Sequence, residues 1–457
     1  MGGLRLMMKL WNQEAAQWRL ELSMDGEALS LRMGDAPRQM TVALGKREDL
    51  NCEILRQAAA KAVKSVRDLG GESAVLDAAP ALEALGEEGL AALALGAELA
   101  GYRQPDWKQA HKEQKPFTLY VAGAPEGEKA VREAAVLAKA VCFARDLTNC
   151  PANRLTPEIM AQRVTEAAKA LGLETQIVDE KEARALGMEA FLAVGESSGN
   201  PPRLIIVRYK GGQEGARPIV LVGKGVTFDS GGYSLKQAAG MKGMNSDMAG
   251  GAAVSGAILA LAENKVPVNV TAVIPAVENR ISPVSFLPSD VIGSMSGKTI
   301  QIGSTDAEGR LILADAVTYA IQKENAAKVV DIATLTGAMA RMFGHVTTGY
   351  LSNCDAFSAQ LEAAAVKSGE KFWRLPTFPE YRKMIDSPVA DLYNTSDGAG
   401  AIAAGLFVGA FAGDTPWIHL DIAGTSSTSA PHKEYQAKGA TGVGVTTLYE
   451  LCKSMEG

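Results

Sequence analysis

The second part of the chain alternates apolar segments with helical patterns, and this alternation limits the possible folds more than any other feature. From Thr148 onward, apolar runs predict strands at residues 203–209, 218–227, 268–277, 328–335 and 417–422. Helical periodicity lies between these runs, at residues 156–171, 250–263, 311–324 and 356–368. Strands that alternate with helices favour a mainly parallel sheet with helices on both faces. The sequence therefore predicts an α/β fold for this region.

Residues 1–126 predict a smaller N-terminal α/β domain. Strand-like alternation and helical spacing both occur there, at residues 18–23, 49–69 and 79–101. We interpret residues 127–149, which have apolar side chains on one helical stripe, as a linker helix. Residues 150–457 then form the larger C-terminal domain, because a chain of 457 residues can bury two hydrophobic cores.

Composition narrows the class of protein. The formal net charge is -6, which gives no general attraction to nucleic acid or to anionic membranes. No apolar stretch reaches membrane-spanning length, and the first residues lack the apolar core of a signal peptide. The five cysteines are scattered without a C-x-x-C pair, which is typical of free thiols in a reducing compartment. We therefore expect a cytoplasmic protein without membrane or nucleic-acid partners.

Two acids stand at the start of a predicted helix. Asp306 and Glu308 are two residues apart, so in an extended segment their carboxylates point to the same side. A divalent cation between them would relieve their repulsion, because hard cations prefer carboxylate oxygens. The other interpretation is a solvated acidic loop that caps the helix. These two residues alone do not decide between the alternatives.

An earlier segment places more charged residues at similar positions. The apolar run 219–222 is followed by Lys224, Asp229 and Lys236, and Asp247 precedes the next helical pattern. Each residue alone has an ordinary interpretation as a strand-end lysine, a turn aspartate or a helix cap. Together, the two segments place four acids and two lysines where open α/β sheets build their binding sites.

Four motifs follow one another in this region. They read VGKGVTFDSGGYSLK, MKGMNSDMAG, TDAEGRL and DIATLTG. In order, spacing and chemistry they resemble the leucyl aminopeptidases, the two-metal cytosol aminopeptidases. The resemblance runs from about Arg145 to Gly444, whereas the residues before about 125 match nothing specific. It departs from the family pattern at Ser304, where Asn is usual, and at Tyr233, where many members differ.

The resemblance implies a site for two divalent ions in each subunit. The matching ligand positions are Lys224, Asp229, Asp247, Asp306 and Glu308. Asp229 and Glu308 would bridge the ions, and Lys224 would ligate as a neutral amine, since burial and an adjacent dication both favour loss of its proton. Mn²⁺ or Zn²⁺ is expected first, with Co²⁺ or Mg²⁺ as alternatives.

The resemblance also implies catalytic and substrate-binding residues. Lys236 would stabilise the oxyanion of the attacked carbonyl, and Arg310 would hold a bicarbonate ion that shuttles the proton. The substrate-binding positions are Met244, Thr334, Leu335, Gly337 and Ala423. They are mostly small or apolar, which favours an N-terminal Leu or Met, although Met244 and Ala423 also fit plain core positions.

We therefore expect a metal-dependent aminopeptidase that acts on short peptides and, like the family it resembles, assembles as a homohexamer. Three alternatives stay open from the sequence. They are a dipeptidase or Cys-Gly peptidase on the same scaffold, an additional DNA-binding role, and a scaffold without activity.

Two other features favour structural interpretations. Residues 195–199 match the G-x-S-x-G motif of serine hydrolases, but that serine must open a helix, and Asn200-Pro201-Pro202 predicts a turn instead. The four histidines lack H-E-x-x-H spacing, which excludes that type of zinc site. We interpret His419, on a predicted buried strand, as a hydrogen-bonded core residue.

Overall fold

The computed structural model describes residues 7–10, 16–34, 38–109, 116–123 and 125–455. The predicted N-terminal domain, residues 1–126, includes segments that lie outside these ranges. Contacts divide the chain into two compact units. The N-terminal unit comprises Met1–Cys142 and Thr428–Gly439, and the C-terminal unit comprises Phe143–Ser427 and Ala440–Gly457. The domain limits drawn from the sequence stay a prediction.

The N-terminal unit contains a six-stranded sheet in the order β1-β6-β5-β2-β4-β3. Its strands are β1 (Met7–Leu10), β2 (Trp18–Ser23), β3 (Leu31–Met33), β4 (Gln39–Ala43), β5 (Ser73–Asp77) and β6 (Thr118–Ala122). The pairs are parallel except for β3 with β4. Its long helices are α1 (Cys52–Asp68) and α2 (Ala79–Ala100). The side chain of Asn51 caps α1 by accepting from the amides of Glu53 and Ile54.

A late segment of the chain belongs to the N-terminal unit. Residues 428–439 follow most of the C-terminal unit in sequence, yet they make their contacts with α1. The Tyr435 hydroxyl donates to Glu53 Oε2 at 3.0 Å, and Lys64 Nζ donates to the carbonyl of Glu434. The chain therefore returns to its first unit before it ends in the second.

The C-terminal unit contains a nine-stranded sheet in the order β16-β15-β18-β14-β9-β11-β8-β7, with β10 beside β11. Its strands, with those of two small sheets, are β7 (Glu174–Val178), β8 (Arg203–Lys210), β9 (Ile219–Gly223), β10 (Gly225–Asp229), β11 (Asn269–Asn279), β12 (Val291–Ile292), β13 (Ile300–Gln301), β14 (Lys328–Ala333), β15 (Thr348–Ser352), β16 (Phe372–Arg374), β17 (Leu392–Tyr393), β18 (Trp417–Asp421), β19 (Ser427–Thr428) and β20 (Gly439–Ala440).

Helices flank the large sheet. The helices of the C-terminal unit are α4 (Pro157–Ala170), α5 (Glu180–Ala185), α6 (Glu189–Gly195), α7 (Ala238–Met241), α8 (Ala249–Glu263), α9 (Glu308–Gln322), α10 (Gly337–Phe343), α11 (Asp355–Ser368), α12 (Pro379–Arg382), α13 (Gly400–Gly409) and α14 (Val445–Lys453). Helix α3 (Glu128–Thr148) begins in the N-terminal unit and ends in the C-terminal unit. Helix α9 is buried from Glu308 to Ala320, so Glu308 lies inside the protein, whereas Asp306, two residues before the helix, is exposed. Within the described part of the chain, no helix combines the length and hydropathy needed to cross a bilayer.

The large sheet is mainly parallel, which confirms the predicted α/β class. Strands β9, β11, β14 and β18 pair in parallel at its centre. Antiparallel pairs occur towards its edges, where β8 pairs with β11 and β7, and β15 pairs with β18. The carboxyl ends of the central parallel strands meet at one edge of the sheet, and open α/β sheets bind their ligands at such an edge.

Candidate metal centre

The charged residues predicted from the motifs lie at the carboxyl ends of the central strands. Lys224 separates β9 from β10, Asp229 ends β10, and Glu308 begins α9. Asp247 follows a short 3₁₀ turn that precedes α8. The structure therefore brings together side chains that are up to 84 residues apart in sequence.

Lys224 is enclosed by the carboxylates. Its Nζ lies 2.7 Å from Asp247 Oδ2 and 2.8 Å from Glu308 Oε1, and it donates to the carbonyl of Thr334 at 2.9 Å. Its side chain lies directly against Gly309, where an added Cβ would stand 2.7 Å from Nζ. Because Lys224 is only 2% exposed, water does not solvate its ammonium group, which is stabilised by these partners instead.

The carboxylates set the protonation of both lysines. Burial by itself lowers the pKa of Lys224, but three carboxylates raise it above the usual lysine value, with Asp247 the largest of them. Burial likewise lowers the pKa of Lys236, and the neighbouring Asp229 and Glu308 raise it above the usual value. Both lysines are therefore ammonium ions when carboxylates alone surround them. Ligation through Lys224 requires a cation that displaces its proton.

Lys236 pairs with the other two acids. Its Nζ lies 2.7 Å from Asp229 Oδ2 and also contacts Asp306. The Ser304 hydroxyl accepts from the amide of Asp306 at 3.2 Å, so the residue that departs from the family pattern supports the loop that carries this acid. The structure thus holds the four acids with two lysines between them.

Three of the carboxylates form a group that fits a cation. Ligand atoms of Asp229, Asp306 and Glu308 lie within 4.8 Å of one another. Burial, followed by repulsion from Glu308, raises the pKa of Asp229, and burial, followed by Asp229, raises the pKa of Asp306. Burial also raises the pKa of Asp247 well above its usual value. A divalent cation would stabilise all of these carboxylates in their charged form, so the donor set fits the implied ions.

Asn279 is a site residue that the sequence analysis missed. It ends β11 opposite Asp229 in the parallel register, and its Nδ2 donates to Asp229 Oδ1 at 2.9 Å and to the carbonyl of Thr305 at 3.0 Å. It therefore links the loop of Asp229 to the loop that precedes Glu308. The available signal was an amide residue at the carboxyl end of a buried apolar strand.

Arg310 is a buried cation. Its Nη1 donates to the carbonyl of Asn394 at 2.7 Å, and its Nε has no hydrogen-bond partner among the described residues. Burial lowers the pKa of Arg310 to about 10, although Glu308 and Asp421 act in the opposite direction. A buried guanidinium with an unpaired N–H can donate a hydrogen bond to a small anion, so the surroundings of Arg310 fit the implied bicarbonate.

Two of the predicted substrate-binding residues contact the ligand candidate Asp247, and two others contact Asp421. The Thr334 hydroxyl donates to Asp247 Oδ1 at 2.7 Å, and the carbonyl of Met244 accepts from the Asp247 amide at 3.4 Å. The amides of Leu335 and Ala423 both donate to Asp421 Oδ1. Gly337 begins α10, two residues after Leu335.

Ser197 of the G-x-S-x-G motif and His419 both make hydrogen bonds as buried residues. Ser197, of the G-x-S-x-G motif, is buried, and its hydroxyl donates to the carbonyl of Val194 at 2.7 Å and accepts from the Arg280 amide at 2.9 Å. His419 is fully buried, with Nδ1 2.5 Å from Asp331 Oδ1, while Trp417 Nε1 donates to the other oxygen of Asp331. His419 is thus a hydrogen-bonded core residue, as predicted.

Comparison with known proteins decides the family. The model of the cytosol aminopeptidase family's catalytic domain matches residues 142–449, and the model of its N-terminal domain matches residues 24–111. The chain belongs to this family. It is an enzyme, a metal-dependent aminopeptidase, which confirms the resemblance drawn from the motifs. The family's N-terminal domain also accounts for much of the region whose sequence matched no motif.

Relatives in the family cover nearly the whole chain. A probable cytosol aminopeptidase of Clostridium perfringens is 45% identical over 420 residues, which are 90% of this chain and 85% of that protein. Another, of Alkaliphilus oremlandii, is 44% identical over 448 residues, which are 94% of this chain and 89% of that protein. A solved structure of the bottromycin maturation enzyme BotP in complex with Mn has a TM-score of 0.89 at 32% identity and covers 96% of this chain and 100% of that one.

Proposed function

We propose that the protein releases the N-terminal residue, preferentially Leu or Met, from short peptides by attack of water activated at two divalent ions. The observation that carries this proposal is the shared cluster of acids and lysines. One enclosed lysine and one partly accessible lysine each contact two carboxylates of the same cluster. Neither pair of contacts is a simple surface ion pair, because each includes a buried carboxylate, Asp247 and Glu308 for one lysine and Asp229 for the other.

The ligands of the two ions would be Lys224, Asp229, Asp247, Asp306 and Glu308. The three-carboxylate group supports Asp229 and Glu308 as the bridging ligands. When bound, the ions supply Lewis acidity, which activates water for attack and stabilises negative charge on the substrate oxygen. Mn²⁺ or Zn²⁺ suits this mixed oxygen and nitrogen donor set, with Co²⁺ or Mg²⁺ as alternatives; the Mn in the BotP structure supports the first of these.

Accessibility separates the roles of the two lysines. The side chain of Lys224 is 3% exposed, whereas that of Lys236 is 17% exposed. The enclosed Lys224 is the ligand, and Lys236 reaches the substrate. As an ammonium ion, Lys236 donates a hydrogen bond to the scissile carbonyl and stabilises the negative charge that develops on its oxygen.

Arg310 holds the bicarbonate ion. Its partly unpaired, buried guanidinium supports an anion at this point, and the start of α9 adds backbone amides that favour negative charge. Bound there by Arg310, bicarbonate would supply a base for the proton of the attacking water and an acid for the leaving amine. The proton transfer then needs no histidine.

Residues Met244, Thr334, Leu335, Gly337 and Ala423 form the pocket for the first side chain and the edge along which the peptide lies. The pocket wall has no charged side chain among these positions, which favours Leu or Met over charged N-terminal residues. Asp247 is positioned by Thr334 and accepts a hydrogen bond from the substrate's amino group.

The protein acts in the cytoplasm as a homohexamer. Free thiols at the five cysteines fit a reducing compartment, and the curated relatives are named cytosol aminopeptidases. Family membership supports the hexamer. Short peptides are its substrates, and nucleic acid is not a partner.

Chelation and restoration test the function. The purified protein is treated with a chelator, assayed on leucyl-p-nitroanilide, and assayed again after Mn²⁺, Zn²⁺, Co²⁺ or Mg²⁺ is added, with metal analysis at each step. We expect activity to disappear and return with two ions per chain. Full activity with one ion or none excludes the two-metal proposal, and cleavage of dipeptides but not of longer peptides favours the dipeptidase alternative. A gel shift at low salt tests the DNA-binding alternative.

A further inference from the structure

Asp421 is a buried carboxylate outside the ligand set. It ends β18 and is 1% exposed. Its Oδ1 accepts from the amides of Leu335 at 3.1 Å, Thr336 at 3.4 Å and Ala423 at 3.1 Å, and its Oδ2 accepts from the Thr336 hydroxyl at 2.7 Å. A fully buried charge is unfavourable unless it is well paired, and here four donors from two segments converge on it.

These donors lie where the sheet stops pairing. Ala333 and Asp421 are opposite each other in the parallel register of β14 and β18, and the Ile422 amide donates to the Ala333 carbonyl at 2.8 Å. Beyond this point the chain turns away towards α10, and the amides of residues 335 and 336 lose their strand partners. Because buried amides need an acceptor, Asp421 replaces the missing strand.

The opposite side of the same segment is tied to the ligand cluster. The Thr334 carbonyl accepts from Lys224 Nζ, and the Thr334 hydroxyl donates to Asp247 Oδ1. Residues 334–336 are therefore held between the ligands on one side and Asp421 on the other. Among the described residues, the hydrogen bonds of the Asp421 side chain go to 335, 336 and 423, and none goes to a ligand candidate.

We propose that Asp421 is a positioning residue that fixes the peptide-binding segment 334–337 relative to the pocket residue Ala423 and thereby sets the preference for the first side chain. This inference rests on the proposed function, since it takes these residues as the substrate-binding edge. Under this inference, ion binding depends on the acid and lysine cluster, and the width of the side-chain pocket depends on Asp421. Loss of Asp421 changes substrate recognition and leaves the ions in place.

The test compares Asp421→Ala with Asp421→Asn. Asparagine keeps an oxygen for the amides and turns its NH₂ towards the Thr336 hydroxyl, so KM stays within about threefold of the wild-type value. Alanine removes every acceptor. We expect KM for leucyl-p-nitroanilide to rise at least about tenfold, which corresponds to the loss of about one net hydrogen bond. The ratio of kcat/KM for leucyl over alanyl p-nitroanilide should fall by a similar factor, while metal content stays at the wild-type level.

A second pair of variants tests the same contact with a smaller change. Thr336→Val removes the hydroxyl that donates to Asp421 Oδ2 and accepts from the Met339 amide, whereas Thr336→Ser keeps it. We expect the valine variant to lose part of the leucyl preference and the serine variant to retain it. This pair carries the test if Asp421→Ala does not fold.

The outcomes separate this inference from the proposed function. A wild-type protein that does not cleave leucyl-p-nitroanilide with any of the four ions refutes the proposed function. An active wild type whose alanine and valine variants keep both KM and the leucyl preference refutes the positioning role. Loss of bound metal in Asp421→Ala also refutes it, because it would place Asp421 in the support of the ligand cluster.

Discussion

Lys224 and Lys236 have the same side chain and opposite chemical situations. Lys224 is surrounded by Asp247, Glu308 and a backbone carbonyl, so a proton on its Nζ and a metal ion compete for one position. The Lys236 side chain, which contacts Asp229 and Asp306, is 17% exposed to solvent. Two lysines twelve residues apart in sequence are therefore expected to respond differently to substitution.

Alanine substitutions of the two lysines distinguish their roles. Lys224→Ala removes a ligand and should lower both metal content and turnover. Lys236→Ala should keep both ions and lower kcat by about 10²–10³-fold, the usual effect of losing one donor to an oxyanion. Metal analysis and steady-state kinetics on the same preparations measure both. If Lys236→Ala loses the ions while Lys224→Ala keeps them, the two roles are exchanged.

Gly309 provides a second residue-scale prediction. Alanine normally favours a helix over glycine by about 1 kcal/mol, yet the added Cβ at this position would meet Nζ of the enclosed Lys224. We expect Gly309→Ala to lower metal affinity by about 10–100-fold, the usual effect of disturbing a residue that positions a metal ligand. Titration with Mn²⁺ measures it. Gly240→Ala, at an exposed helical glycine where a Cβ meets nothing within 4 Å, is the matched control; equal affinity in both variants contradicts the prediction.

The motifs predicted which charged residues meet through their resemblance to a known family, although these residues lie up to 84 positions apart in the sequence. They did not predict Asn279 or Asp421, whose partners lie 50 and 86 residues away. Nor did the sequence show that Lys236 contacts Asp229 and Asp306 at once. These contacts depend on the register between parallel strands, which a single sequence does not contain.

At the scale of elements, the main difference from expectation lies inside the segment 218–227. It was predicted as one strand, and the structure divides it at Lys224. The Lys224 amide donates to Ile332 of β14, and the Lys224 carbonyl accepts from Gly251 of α8. These distant partners turn the chain and direct the lysine into the site. Among the strands of the large sheet, β7 and β15 were not predicted, because β7 is mostly exposed and β15 contains a glycine.

Asp315 connects helix α9 to its surroundings. Its Oδ2 accepts from the amide of Phe191 in α6 at 2.9 Å, and its Oδ1 accepts from the Met295 amide at 2.8 Å. Asp315→Asn turns one acceptor into a donor that faces a buried amide. We expect a loss of about 1–3 kcal/mol in the free energy of unfolding, measured by urea denaturation. An unchanged midpoint would show that α9 does not depend on this link.

The same residue predicts a pH dependence. Burial raises the pKa of Asp315 from 3.8 to about 7. The folded protein therefore binds this proton more tightly than the unfolded chain, and the contribution to stability is complete below pH 3.8 and is lost as the pH rises through about 7. As the pH rises through this window, the wild type should lose stability relative to Asp315→Asn, because asparagine does not titrate. Urea titrations across this pH range measure it, and a constant difference contradicts it.

At the scale of the whole molecule, the proposed hexamer rests on membership of the family. Several large apolar side chains of the C-terminal unit are exposed in the single chain, among them Met342, Trp373, Phe378 and Val389. Where such side chains form a contiguous patch, they are typical of contact regions between subunits. We expect light scattering at assay concentrations to give the mass of six chains. A fully active monomer would contradict the hexamer as the working form.

The return of residues 428–439 to the first unit has a consequence for synthesis. A ribosome completes an N-terminal domain first, and such domains usually fold while the rest of the chain is still being made. Here the contacts of Tyr435 and Glu434 with α1 form only when the chain is nearly finished. The surface of α1 that residues 428–439 contact therefore stays uncovered while the larger unit is synthesised. The N-terminal unit is therefore completed only after the chain has been translated beyond residue 439.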